Sequence, residues 1–509
     1  MISRISQLEN APEWRLSFNW PLKYPEIRER IKFWCDGLAE YSYGIRMQPS
    51  HNVLALSHIL VSPYATRIIW LALVAQKIPE YHDELVSYQP GNFDELTKIE
   101  TINFALLRQN IRKFLFNINR AKAVHKFTPQ RRLIITHNSI LRNSARYSAG
   151  RFDFKHASNI LWEQRAKSEI QGHGEEINLN ILVRDLEQIF VKALDEVSKS
   201  VRQLAVKKFR QGASFFIQQC QHDLYLMSNL DMPYDEVWLG SAGYYPARLV
   251  AIHSKIRGVK TVSFDHGGST FMTKYPSFCY LVNLSVINKY VLPNQQARNS
   301  FFRINNDYFR QKMDMAEIAV GHGDPYYQSV NRNGLQTPKK LIQALYCLTV
   351  LRGTIQNQPT LLPDLVALDL QFRLISWMKE ADISVKIKPH PGTNLSGLSS
   401  HPLSKAAEVL TMPFEDIMSA TQFFVFDYAQ STTFWAALCT DKPVILIDAK
   451  ITEFDEEMKK LLQERCFIIG TDFDERGRCL PSKEQFFAAL TEANKTSGCD
   501  SRAFQELLT

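Results

Sequence analysis

From residue 236 onward the chain alternates short β-branched or aromatic runs with amphipathic helical stretches, and after an interruption it does so again. Residues 236–240 (EVWLG) read as a strand, 245–256 as a helix, 260–264 (KTVSF) and 285–292 as strands, and 294–302 as a helix. Residues 307–340 have weak periodicity and carry Gly321, Gly323, Pro325, Gly334 and Pro338, the composition of a linker. Beyond it, 341–351, 384–387, 422–426, 443–447 and 467–469 read as strands. Helical patterns at 361–379, 413–419, 431–438, 456–463 and 483–493 separate or follow them. Strands separated by helices pair in parallel through crossovers rather than as hairpins. The pattern therefore predicts two doubly wound α/β halves around a central cleft, with ligands bound beyond the carboxyl ends of the strands.

Upstream, residues 1–130 read mostly as helix. Ile99, Ile102, Ala105, Leu106, Ile111, Phe114, Leu115 and Ile118 recur near a 3.6 period. Residues 132–136 (RLIIT) form a strand that runs into the polar turn His137, Asn138, Ser139, and 180–228 form a long helical tract. The organisation expected is a helical region at 1–130, a first α/β domain at 131–320, a linker at 321–340 and a second α/β domain at 341–509.

Composition narrows the function classes. With 45% apolar and 22% charged residues the chain can bury sizeable cores and is neither disordered nor fibrous. Its eight cysteines contain no C-x-x-C pair, which argues against a zinc ribbon, a redox pair or a disulfide scaffold and fits a reducing compartment. The first eighteen residues have no apolar core of a secretory signal. The most apolar stretch, 53–75, contains His58, Pro63 and Arg67, so a buried helix pair is expected there rather than a membrane span. A cytoplasmic protein is expected. Lys and Arg (60) exceed Asp and Glu (52), and the excess is local: 108–151 holds eleven basic residues and no acid. That segment is either a solvated helix face or a positive surface for an anionic ligand or the inner face of the membrane. No nucleic-acid recognition motif accompanies it, so nucleic acid is not an expected partner.

Four segments carry chemistry. SVKIKPHPG (384–392) is a strand that delivers Lys388 and His390 at its carboxyl end, with Pro389 and Pro391 stiffening the turn and Gly392 closing it. A cation and an imidazole there suit oxygens that gain charge on a leaving phosphate. FFVFDYAQSTTFWAAL (423–438) is a strand and turn, after which Ser431, Thr432 and Thr433 open a helix as caps or as anion donors. Between them Glu415 stands in a short helix, where a carboxylate can accept from ribose hydroxyls. FDHGGST (264–270) ends a strand, with Gly267 and Gly268 suited to positive φ and Asp265 and His266 as acid/base candidates. His322 and Asp324 make a poor metal site, G-x-G-x-x-G, P-loop and H-E-x-x-H motifs are absent, and no metal is expected.

At these residues the chain resembles GT-B glycosyltransferases of bacterial surface polysaccharide synthesis, especially those using CMP-activated sugars, the sialyl/nonulosonic acid and Kdo transferases. His390-Pro391 and Ser431-Thr432-Thr433 match the H-P and Ser/Thr elements of that group in order and context. STTFWAALCTDKPVILID is similar to the S-T-x-x-x-E-A-L-x-x-G-K-P-V segment of capsule Kdo transferases, departing at Ala436 and Asp441. The DHGG turn is similar to a Q-H-G-G turn of surface-carbohydrate transferases. Teichoic acid glycerophosphotransferases share a more distant likeness through Lys388-x-His390-Pro391, His266-Gly267 and Asp427-Tyr428. The likeness covers about 235–450.

The resemblance implies two Rossmann-like domains facing a cleft, with a helical N-terminal extension. It implies transfer of a nonulosonic acid or Kdo-type sugar from CMP to a lipopolysaccharide, O-antigen or capsule acceptor, lipid-linked or polysaccharide, without a cofactor. Lys388, His390, Pro391, Gly392, Glu415, Ser431, Thr432 and Thr433 would bind the donor nucleotide, with His390 also assisting departure of the phosphate. His266, with Asp265, would act as base, and Gly267 and Gly268 would line the substrate loop. Membrane contact would be peripheral, through 108–151. CDP-glycerol or UDP-sugar transfer, a UDP-N-acetylglucosamine 2-epimerase-like reaction, and a non-catalytic polysaccharide-assembly role are the alternatives.

Overall fold

The structure is a computed structural model that describes residues 13–17, 19–20, 22–91, 93, 130–148, 150–167, 178–309, 316–333, 341–351, 362–393, 398 and 400–509. The helical period at 97–122 and most of the basic stretch expected to meet a membrane lie outside the described residues.

Two sheets follow one another along the chain. The first contains β1 (Arg131–Ile134), β2 (Arg151–Phe154), β3 (Glu236–Leu239), β4 (Lys260–Phe264), β5 (Lys289–Leu292) and β6 (Glu317–Val320). Their order is β2-β1-β3-β4-β5-β6, and every pairing is parallel. The second contains β7 (Ile342–Cys347), β8 (Val385–Lys388), β9 (Glu408–Val409), β10 (Thr421–Phe426), β11 (Val444–Asp448), β12 (Phe467–Phe473) and β13 (Cys479–Pro481). Its order is β13-β12-β11-β10-β7-β8-β9, parallel except where β12 meets β13. The chain starts this sheet in the middle, builds outward through β8 and β9, then returns to build the other side from β10. That is the strand order of a Rossmann-type sheet, and it opens a crevice between β7 and β10.

Central strands are apolar on both faces because helices cover both. In β10 Phe423, Phe424, Val425 and Phe426 are all buried. In the first sheet the two faces separate cleanly. Ile134, Trp238, Val262 and Phe264 pack with Ile140, Leu141 and Ala145 of the helix Ser139–Tyr147. Leu133, Val237 and Leu239 face the larger core shared with the helix Tyr245–Ile256 and the N-terminal helices.

Five sequence readings change. β2 was not expected: RFDF is a short edge strand with only Phe152 fully buried, too little apolar pattern to stand out. The linker expected over 307–340 contains β6 and the helix Pro325–Asn333; β6 is an outer strand with no buried residue, so its period is faint. The strand expected at 285–292 begins only at Lys289, behind a π-helical turn, Tyr280–Leu284. The tract at 180–228 is two helices, Leu179–Ala193 and Lys199–Met227. Residues 53–75 belong to one continuous helix, Ser50–Ala75, rather than a pair.

Ser50–Ala75 is the one helix among the described residues long and apolar enough to cross a bilayer, and most of that stretch is buried within the protein. It contacts the helices Tyr24–Gly44, Glu80–Ser87, Leu179–Ala193, Lys199–Met227 and Tyr245–Ile256, which is why it is apolar on all sides. Pro63 is accommodated inside it, and the buried Arg67 pairs with Glu84 while its guanidinium lies 4.4 Å from the Trp70 ring centroid.

Candidate active site

The carboxyl edges of the two sheets face each other. Lys274 N donates to Glu453 O at 2.8 Å, and Arg28 pairs with Glu453 at 2.6 Å. Arg303 pairs with Asp455 at 2.5 Å, and Tyr326 donates its hydroxyl to Glu415 at 2.6 Å. Four contacts from different elements hold the edges in register.

On the second sheet's edge a recess opens at the crevice between β7 and β10. Cys347 and Leu348 line it from β7, Lys388, Pro389, His390 and Pro391 from the turn after β8, and Phe426, Tyr428, Ser431 and Thr433 from the end of β10 and the helix behind it. Two segments forty residues apart in sequence thus share one wall. The recess measures about 20 Å³, room for a water-sized group or the tip of an anion rather than for an enclosed nucleoside.

Each wall is fixed by its own hydrogen bonds. Lys388 Nζ donates to the Met412 carbonyl at 2.7 Å, which holds the ammonium at the strand end. His390 Nδ1 accepts from Gly392 N at 3.0 Å. An accepting Nδ1 puts the neutral imidazole's proton on Nε2, so the ring presents a donor. Opposite, Ser431 is the N-cap of the helix Thr432–Leu438, and its Oγ accepts from Thr433 N at 3.2 Å. The helix is short and one of its N–H groups is already capped, so the wall's contribution to an anion is the hydroxyls of Ser431 and Thr433. Thr432 is exposed and turns to the other sheet: a Cβ on Gly267 would lie 2.9 Å from its Oγ1.

Below the recess Asp427 was matched in sequence only as part of a D-Y pair, without a role. It is buried, and it accepts from Tyr346 OH at 2.9 Å, Gln371 Nε2 at 2.9 Å and Thr349 N at 2.7 Å. Burial pushes its carboxyl up, and the three donors oppose that. It ties the end of β10 to the end of β7, the two strands that flank the crevice. The helix Thr432–Leu438 is anchored at its far end by buried Arg465, which donates to the carbonyls of Leu438, Ala437, Thr440 and Lys442 at 2.7–3.2 Å. Sequence assigns Asp427 no role and does not single out Arg465, because the partners of both are distant in the chain.

On the first sheet's edge, Gly267 and Gly268 both adopt φ of +78°. Asp265 is 2% exposed and faces inward: it accepts from Gly268 N at 2.9 Å, Thr270 Oγ1 at 2.5 Å and Tyr290 OH at 2.8 Å. It is the anchor of the turn, and the role of second base read for it from sequence does not fit a carboxylate so engaged. His266 stands exposed on the same turn and makes no side-chain hydrogen bond among the described residues. Glu415 is half-buried, with one oxygen accepting from Tyr326 and the other open to a further donor. Asp324 caps its helix through Tyr326 N at 2.9 Å, and His322 packs on Tyr147 with centroids 4.7 Å apart. Among the described residues no three His, Cys, Asp or Glu side chains are grouped to share a metal ion.

No protein-family model matches the chain, and no curated protein matches it either.

Proposed function

We propose that the protein is a GT-B glycosyltransferase that moves a nonulosonic acid or Kdo-type sugar from a CMP-activated donor to a lipopolysaccharide, O-antigen or capsule acceptor. One observation carries the reading: the Lys388–Pro391 turn and the Ser431/Thr433 hydroxyls converge on one recess at the switch point of a Rossmann-ordered sheet. A recess of that size takes the oxygens at the tip of the CMP phosphate, while the rest of the nucleotide lies in the open cleft above it. The resemblance of the H-P and Ser/Thr elements supplies the choice of cytidylate over other nucleotides.

The residues divide the work as follows. Lys388 and the Nε2–H of His390 donate to phosphate oxygens, and Ser431 and Thr433 add hydroxyl donors. Glu415 accepts from the ribose with its remaining oxygen. The acceptor hydroxyl attacks the anomeric carbon, the bond from that carbon to the phosphate oxygen breaks, and CMP leaves with the electron pair. His266, across the cleft, takes the acceptor's proton. Charge builds on the leaving phosphate, so donors fixed in advance stabilise the transition state more than the ground state.

The test is ligand-dependent melting. CMP raises the Tm, while UMP and GMP at the same concentration do not. Equal stabilisation by UMP would move the assignment to a UDP-sugar enzyme. Replacing His390 by Ala, with the Tm unchanged, lowers turnover about a hundredfold, the usual weight of one preorganised donor.

A further inference from the structure

We infer that the first sheet carries a second, separate site, for an oxyanion, at the carboxyl ends of β1 and β3, with Arg142 and His137 as its ligands. Topology is the first observation. In the order β2-β1-β3 the chain reverses its direction of growth between β1 and β3, where an open parallel sheet leaves a crevice. The helices Ser139–Tyr147 and Tyr245–Ile256, which follow these strands, belong to cores on opposite faces, so they diverge from that point. The crevice floor is pinned. Asn138 Nδ2 donates to the carbonyls of Gly240 at 2.7 Å and Asp265 at 2.8 Å, and a Cβ on Gly240 would sit 2.6 Å from the His137 carbonyl carbon.

Charge is the second observation, and it is independent of the first. Arg142, on the first turn of Ser139–Tyr147, and His137, on the loop before it, make no side-chain hydrogen bond or ion pair among the described residues. The acid that faces Arg142 is Asp324, which is 4% exposed and engaged by Tyr326 N and the Ser139 hydroxyl. Burial and the neighbouring Arg146 lower the Arg142 guanidinium, and burial with Arg142 and His156 pushes the His137 imidazole down to about 4. Arg142 is exposed at the mouth of the crevice and forms no ion pair with Asp324, whose oxygens are taken up by other donors, so its guanidinium is available to a bound oxyanion. His137 adds an N–H donor from the adjacent loop.

The ligand class is a phosphate- or carboxylate-bearing compound. In the transferase reading, on which this clause alone rests, it is the charged group of the acceptor, so the acceptor is an acidic saccharide or a lipid-linked phosphate. The experiment is calorimetric titration of Lys388→Gln protein, whose recess is disabled, with inorganic phosphate and separately with acetate. One site for at least one of the two anions is expected, and the tighter of the two assigns the group. Adding Arg142→Gln weakens it about tenfold or more, the weight of one charge-assisted hydrogen bond, and His137→Gln weakens it several-fold. Neither change alters the Tm or the affinity for CMP in otherwise unaltered protein. Binding that is absent, or that survives Arg142→Gln unchanged, overturns the site. Failure of CMP to bind while the Arg142-dependent anion site persists defeats the transferase reading and leaves this inference standing.

Discussion

Arg248 is fully buried, and its guanidinium is held by oxygens that carry no formal charge. It donates to the carbonyls of Ala55, Ala242, Leu281 and Val282 and to the Ser285 hydroxyl. Those partners belong to the helix Ser50–Ala75, the loop after β3 and the π-helical turn with the residue behind it, so one side chain joins the N-terminal helices to the first sheet. Burial pushes its pKa down to about 9. Replacing it by Met strands several buried acceptors at once, and a loss of about 3 kcal/mol or more is expected; thermal denaturation reads this as a Tm lower by several degrees, and an unchanged Tm would contradict the assigned role. Histidines set the acid limit. Burial holds His51 and His401 at about 4 and lowers His58 as well, while His401 Nδ1 must stay unprotonated to accept from Leu403 N at 3.3 Å. In the unfolded chain each titrates near ~6.5. Between ~6.5 and about 4 the unfolded state therefore binds more protons, so stability is intact above that window and falls as pH drops through it. Urea midpoints measured from pH 7.5 to 4.5 should fall in that direction, and His401→Gln should flatten the slope; a flat profile in the parent protein would refute the sign.

Elements show which parts of the fold local sequence could announce. Central strands such as β10 and β11 are apolar on both faces and stand out, whereas β2 and β6 are edge or outer strands whose signal comes from neighbours far along the chain. The same division applies to the site. The Lys388–Pro391 turn and the Ser431–Thr433 cap were legible because each lies at a strand end, while Asp427, Arg465 and the inward turn of Asp265 depend on partners that sequence spacing does not identify. Helix Lys199–Met227 offers a case where local propensity and packing oppose each other. Gly212 in its middle should favour Ala by about 1 kcal/mol on propensity. A Cβ there would lie 2.1 Å from the ring of Tyr64, which is itself held by its hydroxyl donating to Lys208 O at 3.0 Å and packed on Phe216. Packing wins in this account. Gly212→Ala is expected to destabilise by about 1–3 kcal/mol, and a stabilised variant would show that the ring yields.

At the scale of the whole molecule the two sheet edges are tied from both ends of the described chain. Trp14 packs edge-on to Phe372, Arg15 pairs with Asp369 at 2.9 Å, and Trp20 N donates to Arg476 O at 2.8 Å, so the first described residues clasp the second sheet's helices and outer loop. From the other direction the helix Arg502–Leu508 reaches the first sheet, where Asn294 Nδ2 donates to Glu506 O at 3.0 Å, while Gln505 Nε2 stays on Cys439 O at 3.0 Å. Such bracing keeps His266 and the recess on facing walls. Breaking the Arg28–Glu453 pair with Arg28→Ala should leave CMP affinity intact and lower turnover, separable by measuring Kd and kcat; loss of affinity instead would place Arg28 in the nucleotide site. The central claim concerns one phosphate at one recess, and calorimetric titration with CMP and with cytidine, in the parent protein and in Lys388→Gln, addresses it directly. The account predicts that CMP binds about tenfold or more tighter than cytidine in the parent and that Lys388→Gln removes most of that difference. Equal affinity for the two ligands, or a preference for CMP that Lys388→Gln leaves untouched, would contradict it.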